Sequence, residues 1–262
     1  MNDEIKKDLT SNEEGASILQ TNKQTNKQTN GDFIHQMSFF DFEQRNNDKY
    51  VGRISYDETK PFLLKVHYAR RMPCITDAFG LFVNGKLIGC VTYGIPASNT
   101  LCEGLAGREN KYRVYELNRL CILPEYNGQN YASYLVSHSL KMLPNKTFVV
   151  SYADTAWSHI GYIYQATNFL YTGMSAKRLD NYQPNGLHPR SYDKANRSGL
   201  YQTRSQKHRY VYLVGDRRTR KQMLSELKYK VYDKYPKGNE QHYDVNNPKI
   251  LEPIRIIDKS EP

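Results

Sequence analysis

With 262 residues, 39% of them hydrophobic, the chain can bury a sizeable core, and it carries a formal net charge of +10. No run approaches the roughly 18 apolar residues needed to cross a bilayer, and no apolar signal core follows basic residues at the amino terminus, so a soluble cytoplasmic protein with no membrane partner is expected. Four cysteines, Cys74, Cys90, Cys102 and Cys121, lack the paired short spacings of a zinc site and the density of a secreted disulfide scaffold. They are expected to be reduced and mostly buried.

Residues 1–31 are polar and contain the tandem TNKQTNKQTN at Thr21 to Asn30, which offers no apolar stripe to bury, so disorder is expected there. Ordered structure is expected from near Phe33. Pro61 to Arg71 (PFLLKVHYARR) reads as a helix with Pro at an early position, ended by Pro73. Ala78 to Val83 and Lys86 to Tyr93 flank Asn84-Gly85, the dipeptide that best supplies two positive φ angles to a tight hairpin. Ile95 to Lys111, with Pro96 and several small residues, reads as a long loop of the kind that lines a cleft. Arg113 to Ile122 (RVYELNRLCI) reads as a strand stopped by Pro124. Asn127, Gly128 and Asn130 suit a tight turn, and Tyr131, Leu135, Leu140 and Leu143 recur at helical spacing behind it. Thr147 to Tyr152 reads as a second apolar strand, Ile160 to Asn168 as a helix, Phe169 to Tyr171 and His208 to Val214 as strands, Arg217 to Tyr229 as a basic helix, and the chain from Tyr235 as a tail.

The charge is uneven. Lys177 to Lys230 holds 14 Lys or Arg against four Asp or Glu, and Tyr182, Tyr192, Tyr201, Tyr210 and Tyr212 interleave aromatic rings with those cations. A surface of this composition attracts polyanions by counterion release and offers rings on which bases stack, so DNA is the expected partner. A merely solvated basic face remains the bland alternative.

Strand, turn, helix, strand, helix and strand between Tyr112 and Gly173 is the layout of an acyl-coenzyme A binding core, and it resembles the GNAT acyltransferase superfamily. Several phrases resemble the phage Mom branch of that superfamily more closely: HYARRMP at 67–73, VTYGIPAS at 91–98, YELNRL at 115–120, SYAD at 151–154 and IYQATNFLYTG at 163–173. The resemblance implies an α/β fold, a GNAT-like mixed and mostly antiparallel central sheet flanked by helices. It would comprise a disordered tail at 1–31, a catalytic domain at 32–215 and a basic helical extension and tail at 216–262. It also implies an activity, since Mom proteins convert adenines of phage DNA to a carbamoylmethyl derivative at the exocyclic amine and so protect the genome from restriction. The cytoplasm would be the host's if the chain is phage-encoded.

The resemblance implies site residues as well. The Arg/Gln-x-x-Gly-x-Gly/Ala turn that holds the pyrophosphate of acetyl-CoA falls on Asn127, Gly128, Gln129, Asn130, Tyr131 and Ala132, followed by Ser133 and preceded along the strand by Cys121 and Ile122. Unpaired amides at a helix start form an anion site whatever the family, and the alternative is an ordinary turn and cap. Asn127 and Asn130 depart from the pattern, although Asn tolerates left-handed backbone angles. Tyr164 falls where a tyrosine protonates the departing thiolate, a task that suits a phenol; its alternative is a packed core tyrosine. Asp154 is a candidate to orient a base or accept from the adenine amine, or else to cap a helix from Ala156 to Gln165. Asn118 and Arg119 alternate faces along their strand, and Arg119 either contacts coenzyme or DNA or pairs with Glu116. Ser98, His159, Arg217, Arg218, Arg220 and Lys221 are further substrate or DNA candidates, and His67 with Tyr68 falls where Mom proteins are suggested to hold iron. Two other readings stand beside this one: an ordinary acetyltransferase acting on a small amine or protein lysine, and a DNA-binding protein without catalysis. Oligomeric state is left open.

Overall fold

The computed structural model describes residues 49–182, 199–238 and 255–258. The chain divides after Tyr50 into two units, and the architecture below belongs to the second, Val51–Pro262. The tail expected at 1–31, the start near Phe33 and Tyr192 lie outside the described residues.

After β1 (Lys49–Arg53), Ser55 opens α1 (Tyr56–Pro61) through a capping box in which its hydroxyl accepts from the Glu58 amide and the Glu58 carboxylate accepts from the Ser55 amide. That box starts the helix five residues before the expected start at Pro61. One π-helical turn, Phe62–Val66, follows, and the backbone becomes extended at His67. The helix expected to reach Arg71 therefore stops five residues short, and HYARR is a loop.

β2 (Asp77–Val83) and β3 (Lys86–Gly94) make the hairpin expected from Asn84-Gly85, whose φ angles are +49° and +75°. The segment expected as a loop from Ile95 contains α2 (Asn99–Ala106). Ser98 caps it by accepting from the Leu101 amide, and Cys102, Leu105 and Ala106 give it a buried face.

β4 (Val114–Ile122), α3 (Tyr131–Lys141) and β5 (Phe148–Asp154) form a right-of-way between parallel strands, the connection that such strands require. A 3-10 turn at Thr155–Trp157, then α4 (Tyr162–Ala166), β6 (Leu170–Met174), β7 (Arg178–Asn181), β8 (Leu200–Arg204), β9 (Lys207–Leu213), α5 (Arg217–Glu226) and β10 (Ile256–Asp258) complete the described chain. The main sheet has the order β1-β2-β3-β4-β5-β9-β6, with β4 and β5 parallel and its other registered pairs antiparallel. It is the mixed, mostly antiparallel sheet flanked by helices that the sequence leads one to expect. A second sheet, β10-β8-β7, takes in part of what reads as a tail, because Ile256–Asp258 pairs with Leu200–Gln202.

Two layers cover the main sheet. On one face α3 and α4 pack Leu135, Val136, Leu140 and Tyr164 against Val91, Tyr93, Leu117 and Phe169. On the other, α2 and α5 bury Leu105 and Met223 against Val114, Phe148 and Val211. Farther along β4 on that second face, Phe62 and Leu63 of the π turn cover Cys90 and Cys121.

Candidate active site between the splayed strands

β4 and β5 are paired only at Val114–Phe148, Tyr115–Val149 and Glu116–Val150. The Ser151 hydroxyl donates to the Leu117 carbonyl at 2.9 Å, and beyond that point both strands run on without ladder bonds to each other. The sheet thus opens in its middle. Backbone groups at such an opening are available for a ligand rather than for a neighbouring strand.

One lip of the opening is the turn into α3. Asn127 is extended, Gly128 has φ +82° with open space around it, and Asn130 sits at φ +58° as an N-cap whose side chain makes no capping bond. The first-turn amides of an α-helix lack intrahelical partners and carry the positive end of its dipole. This turn therefore fits a phosphate, and Asn130 takes the left-handed angle that a glycine would otherwise supply. The Ser133 hydroxyl donates to the Asn130 carbonyl at 2.9 Å and so braces the turn. Gln129 and Ala132 lie in the same turn. Cys121 and Ile122 lie just before it. Burial pushes the Cys121 thiol up to about 12, so it serves as a packed apolar group and not as a nucleophile.

The other lip is aromatic. His67 stacks on Tyr68 at 4.3 Å, and Tyr68 meets Trp157 at 5.2 Å and His159 edge-on at 6.1 Å. Sequence reading missed Trp157, whose signal was that it is the single tryptophan of the chain; it lies in the 3-10 turn that follows β5. His67 Nδ1 accepts from the Ala69 amide at 3.0 Å, which assigns the ring proton to Nε2. Burial, aided by the charges of Arg119 and His159, lowers the His67 pKa to about 3. The imidazole is thus neutral at physiological pH.

That neutrality has a measurable cost in acid. Because the folded pKa lies below the unfolded value, stability is fully present above about pH 6.5 and declines as pH falls toward the folded value. Between pH 6.5 and 5 the loss is about 2 kcal/mol. Urea unfolding of the intact protein and of His67→Phe at both pH values is expected to show this loss only with His67 present; parallel pH curves would place the ring in water.

Iron does not fit these residues. His67 has one nitrogen committed to the backbone, and among the described residues no group of three or more His, Cys, Asp or Glu converges to hold a metal ion.

Arg119 lies where strict alternation would not put it. Thr92 pairs with Arg119 while Tyr93 pairs with Leu117, so Asn118 is the extra residue of a β-bulge. Tyr115 and Leu117 before the bulge, and Leu120 and Ile122 after it, all pack on the α3 face. Arg119 is accordingly turned to the opposite face, the side of Glu116 and Cys121, beneath the His67–Tyr68 loop. Asn118 accepts from the Thr92 hydroxyl at 2.6 Å and donates to the Cys74 carbonyl at 2.8 Å, which pins that loop to the strand. Its side chain is fully employed in positioning.

Asp154 ends β5 and is committed to structure. It accepts from Ser205 at 2.6 Å and from the Ala156 amide at 3.0 Å, and it pairs with Lys207. Burial raises its pKa, but the Lys207 charge and these hydrogen bonds outweigh burial and hold the carboxyl below its ordinary value. It caps the short 3-10 turn that carries Trp157, so the helix expected from Ala156 to Gln165 is instead that turn plus α4. Neither Ser205 nor Lys207 was signalled by sequence, since both arrive from 50 residues farther along.

Tyr164 packs on the α3 side of the sheet, its ring 5.3 Å from both Phe169 and Tyr210. The sites expected at Ser98 and α5 fall elsewhere. Ser98 is the α2 cap, and α5 begins just past the Phe148 end of β5, where Phe148 pairs with Leu213. His159 lies at the Asp154 end. Seven strand residues separate the two ends, about 20 Å. Arg217, Arg218, Arg220 and Lys221 are thus remote from the opening, and Arg220 donates to the Gly215 carbonyl at 2.6 Å.

A strand pair that opens beside an uncapped helix start, with polar and aromatic side chains across the gap, has the construction of a group-transfer site for a phosphate-bearing cofactor. Comparison with family models gives a match to the Mom protein family over residues 48–237, and the chain belongs to that family. No curated protein matches it in sequence. Among solved structures it is similar to the ribosomal-protein-S18-alanine N-acetyltransferase from Escherichia coli, at 10% identity and TM-score 0.39, covering 64% of this chain and 95% of that one. It is also similar to a GNAT family acetyltransferase from Elizabethkingia anophelis with acetyl-CoA bound, at 12% identity and TM-score 0.40, covering 63% and 98%. An acetyltransferase from Bacillus subtilis in complex with CoA is similar at 10% identity and TM-score 0.38, covering 64% and 98%.

Proposed function

We propose that the protein is a DNA-modifying transferase of the Mom type, which uses an acyl-CoA-type cofactor to convert adenine in DNA to a carbamoylmethyl derivative at its exocyclic amine and so protects the DNA from restriction in the cytoplasm where it acts. Family membership over residues 48–237 supports the class. The observation that carries the reading is the opening beyond Glu116–Val150, flanked by a phosphate-fitting turn on one face and an aromatic cluster on the other. Among the described residues no helix is long and apolar enough to cross a membrane.

Acetyl-CoA would lie with its pyrophosphate on the amides of residues 128–132 and would supply the two-carbon unit as a thioester; an amine donor would have to displace the thiol to give the amide, and joining the methyl carbon to the adenine amine would take a two-electron oxidant. Tyr164, on the same face, would hand its proton to the departing sulfur. Adenine enters from the other face, where Tyr68, Trp157 and His159 offer rings for a base taken out of its stack. The neutral His67 adds an N–H donor there and no charge. The amine of adenine is conjugated with its ring and weakly nucleophilic, so orientation by these rings has to supply much of the rate.

Nucleoside mass spectrometry of DNA from cells with and without the protein tests this. A carbamoylmethyladenine mass is expected only with the protein. A plain acetyl mass would reduce the reading to ordinary acyl transfer, and unmodified DNA from cells holding folded protein would overturn it in favour of another acceptor or a binding role.

A further inference from the structure

Arg119 Nε is a buried side-chain nitrogen with no hydrogen-bond partner, the one such atom among the described residues. The guanidinium donates through one terminal nitrogen, Nη1, to the Asn118 carbonyl at 2.6 Å, and Arg119 takes part in none of the ion pairs among the described residues. Its neighbours worsen its position. Burial disfavours its charge and Arg71 adds a second cation, with Tyr68 and Glu116 opposing them from a distance. The guanidinium is half-buried with its Nε enclosed, and an enclosed donor left idle is costly enough to call for an occupant that completes it.

The shape of what is missing can be read from the donor that is committed. With Nη1 on a backbone carbonyl, the remaining edge is Nε–H and Nη2–H, two parallel donors in one plane. That edge matches a carboxylate, whose two oxygens are coplanar and similarly spaced. A phosphate would bring a third oxygen and a second charge that this one edge does not pair. An acetyl group carries no charge and would leave the guanidinium unpaired.

We propose that Arg119 anchors a binding site for a small carboxylate, held side-on against its Nε–Nη2 edge beneath the His67–Tyr68 loop. The site is a second-substrate subsite of the opening, and in that respect the inference rests on the reading of the opening as the reaction centre. A carbamoylmethyl group contains a nitrogen and a carbon attachment that an acetyl group does not provide, so a second small substrate has a place in the chemistry.

The test is a titration of the full chain, labelled with nitrogen-15, followed at the arginine Nε–Hε resonances, with malonate, malonamide and inorganic phosphate as probes. The Arg119 resonance is the one absent from Arg119→Lys. Malonate is expected to shift it saturably, malonamide not to shift it, and phosphate to bind more weakly. Arg119→Lys keeps the charge without the fork and is expected to weaken malonate binding about tenfold or more, with Arg119→Gln weaker still. Equal response to malonate and malonamide, tighter binding of phosphate, or undiminished malonate binding by Arg119→Lys would each overturn the proposal. The titration contains neither DNA nor coenzyme. Unmodified DNA in the cellular experiment would therefore leave a positive titration standing, and a negative titration would leave the DNA activity standing.

Discussion

Tyr164→Phe is expected to slow formation of modified adenine by about a hundredfold or more, the range lost when a positioned general acid is removed. The substitution keeps the ring, and with it the contacts to Phe169 and Tyr210 at 5.3 Å, so the fold should lose no more than the roughly 1 kcal/mol of one hydrogen bond. Rate and stability should therefore separate. The measurement is timed nucleoside mass spectrometry on purified protein with a plasmid substrate, alongside thermal unfolding of both proteins. A rate within twofold of the intact protein would make Tyr164 a packing residue, one more ring in a cluster that already holds Tyr93, Tyr210 and Tyr212. A leaving thiolate that needs no proton at high pH gives a second readout: the deficit of the variant should shrink as pH rises through the range where thiolates are stable in water.

Gly94→Ala should be among the most destabilising single changes in the chain. A Cβ there would stand 2.0 Å from the Cys74 carbonyl oxygen and 2.9 Å from Asn118 Nδ2, which are themselves joined by a 2.8 Å hydrogen bond. The obstacle is backbone, so no rotamer change relieves it, and either β3 or the loop through Cys74 must move. About 3 kcal/mol is expected, which for a protein of this size lowers the melting temperature by roughly 6–12 °C. The displaced loop is the one that carries His67 and Tyr68, so DNA modification should fall further than the melting temperature alone explains. Gly128→Ala is the control. Its φ of +82° is strained for alanine, yet nothing lies within 4 Å of the new methyl, so it should cost about 1 kcal/mol. If Gly94→Ala melts within 2 °C of the intact protein, the clasp between β3, Cys74 and Asn118 is soft and does not position the loop.

Several elements were legible in the chain alone because their causes are local. Asn84-Gly85 can adopt two positive φ angles, and it makes the β2–β3 turn. Pro124 cannot donate to a ladder, and β4 ends at Ile122. The turn of Asn127, Gly128 and Asn130 precedes an apolar stripe at helical spacing, and α3 follows it. Local signals that were present but outweighed explain the misreadings. Pro61 has the look of a helix start, yet the Ser55–Glu58 box begins that helix earlier and Pro61 ends up at its last position. Small residues after Ile95 read as a loop, and the Ser98 cap with a buried Cys102, Leu105 and Ala106 makes them a helix.

The sequence by itself thus determined the β2–β3 hairpin, the run from β4 through the turn into α3 to β5, and the kinship with the Mom family, because φ preferences, lost donors and apolar periods act over a few residues. Only the tertiary structure decided which side chains meet. The bulge at Asn118 is set by pairing with β3, and it turns Arg119 away from the face that alternation assigns to it. Asp154 is paired with Lys207 and Ser205 from β9 and its approach, partners that its own stretch of sequence does not reveal. α5, though rich in Arg and Lys, follows β9 to the far end of the sheet and leaves the opening to Tyr68, Trp157 and His159. Register, ion pairing and burial are properties of contacts between distant segments, and no local preference encodes them.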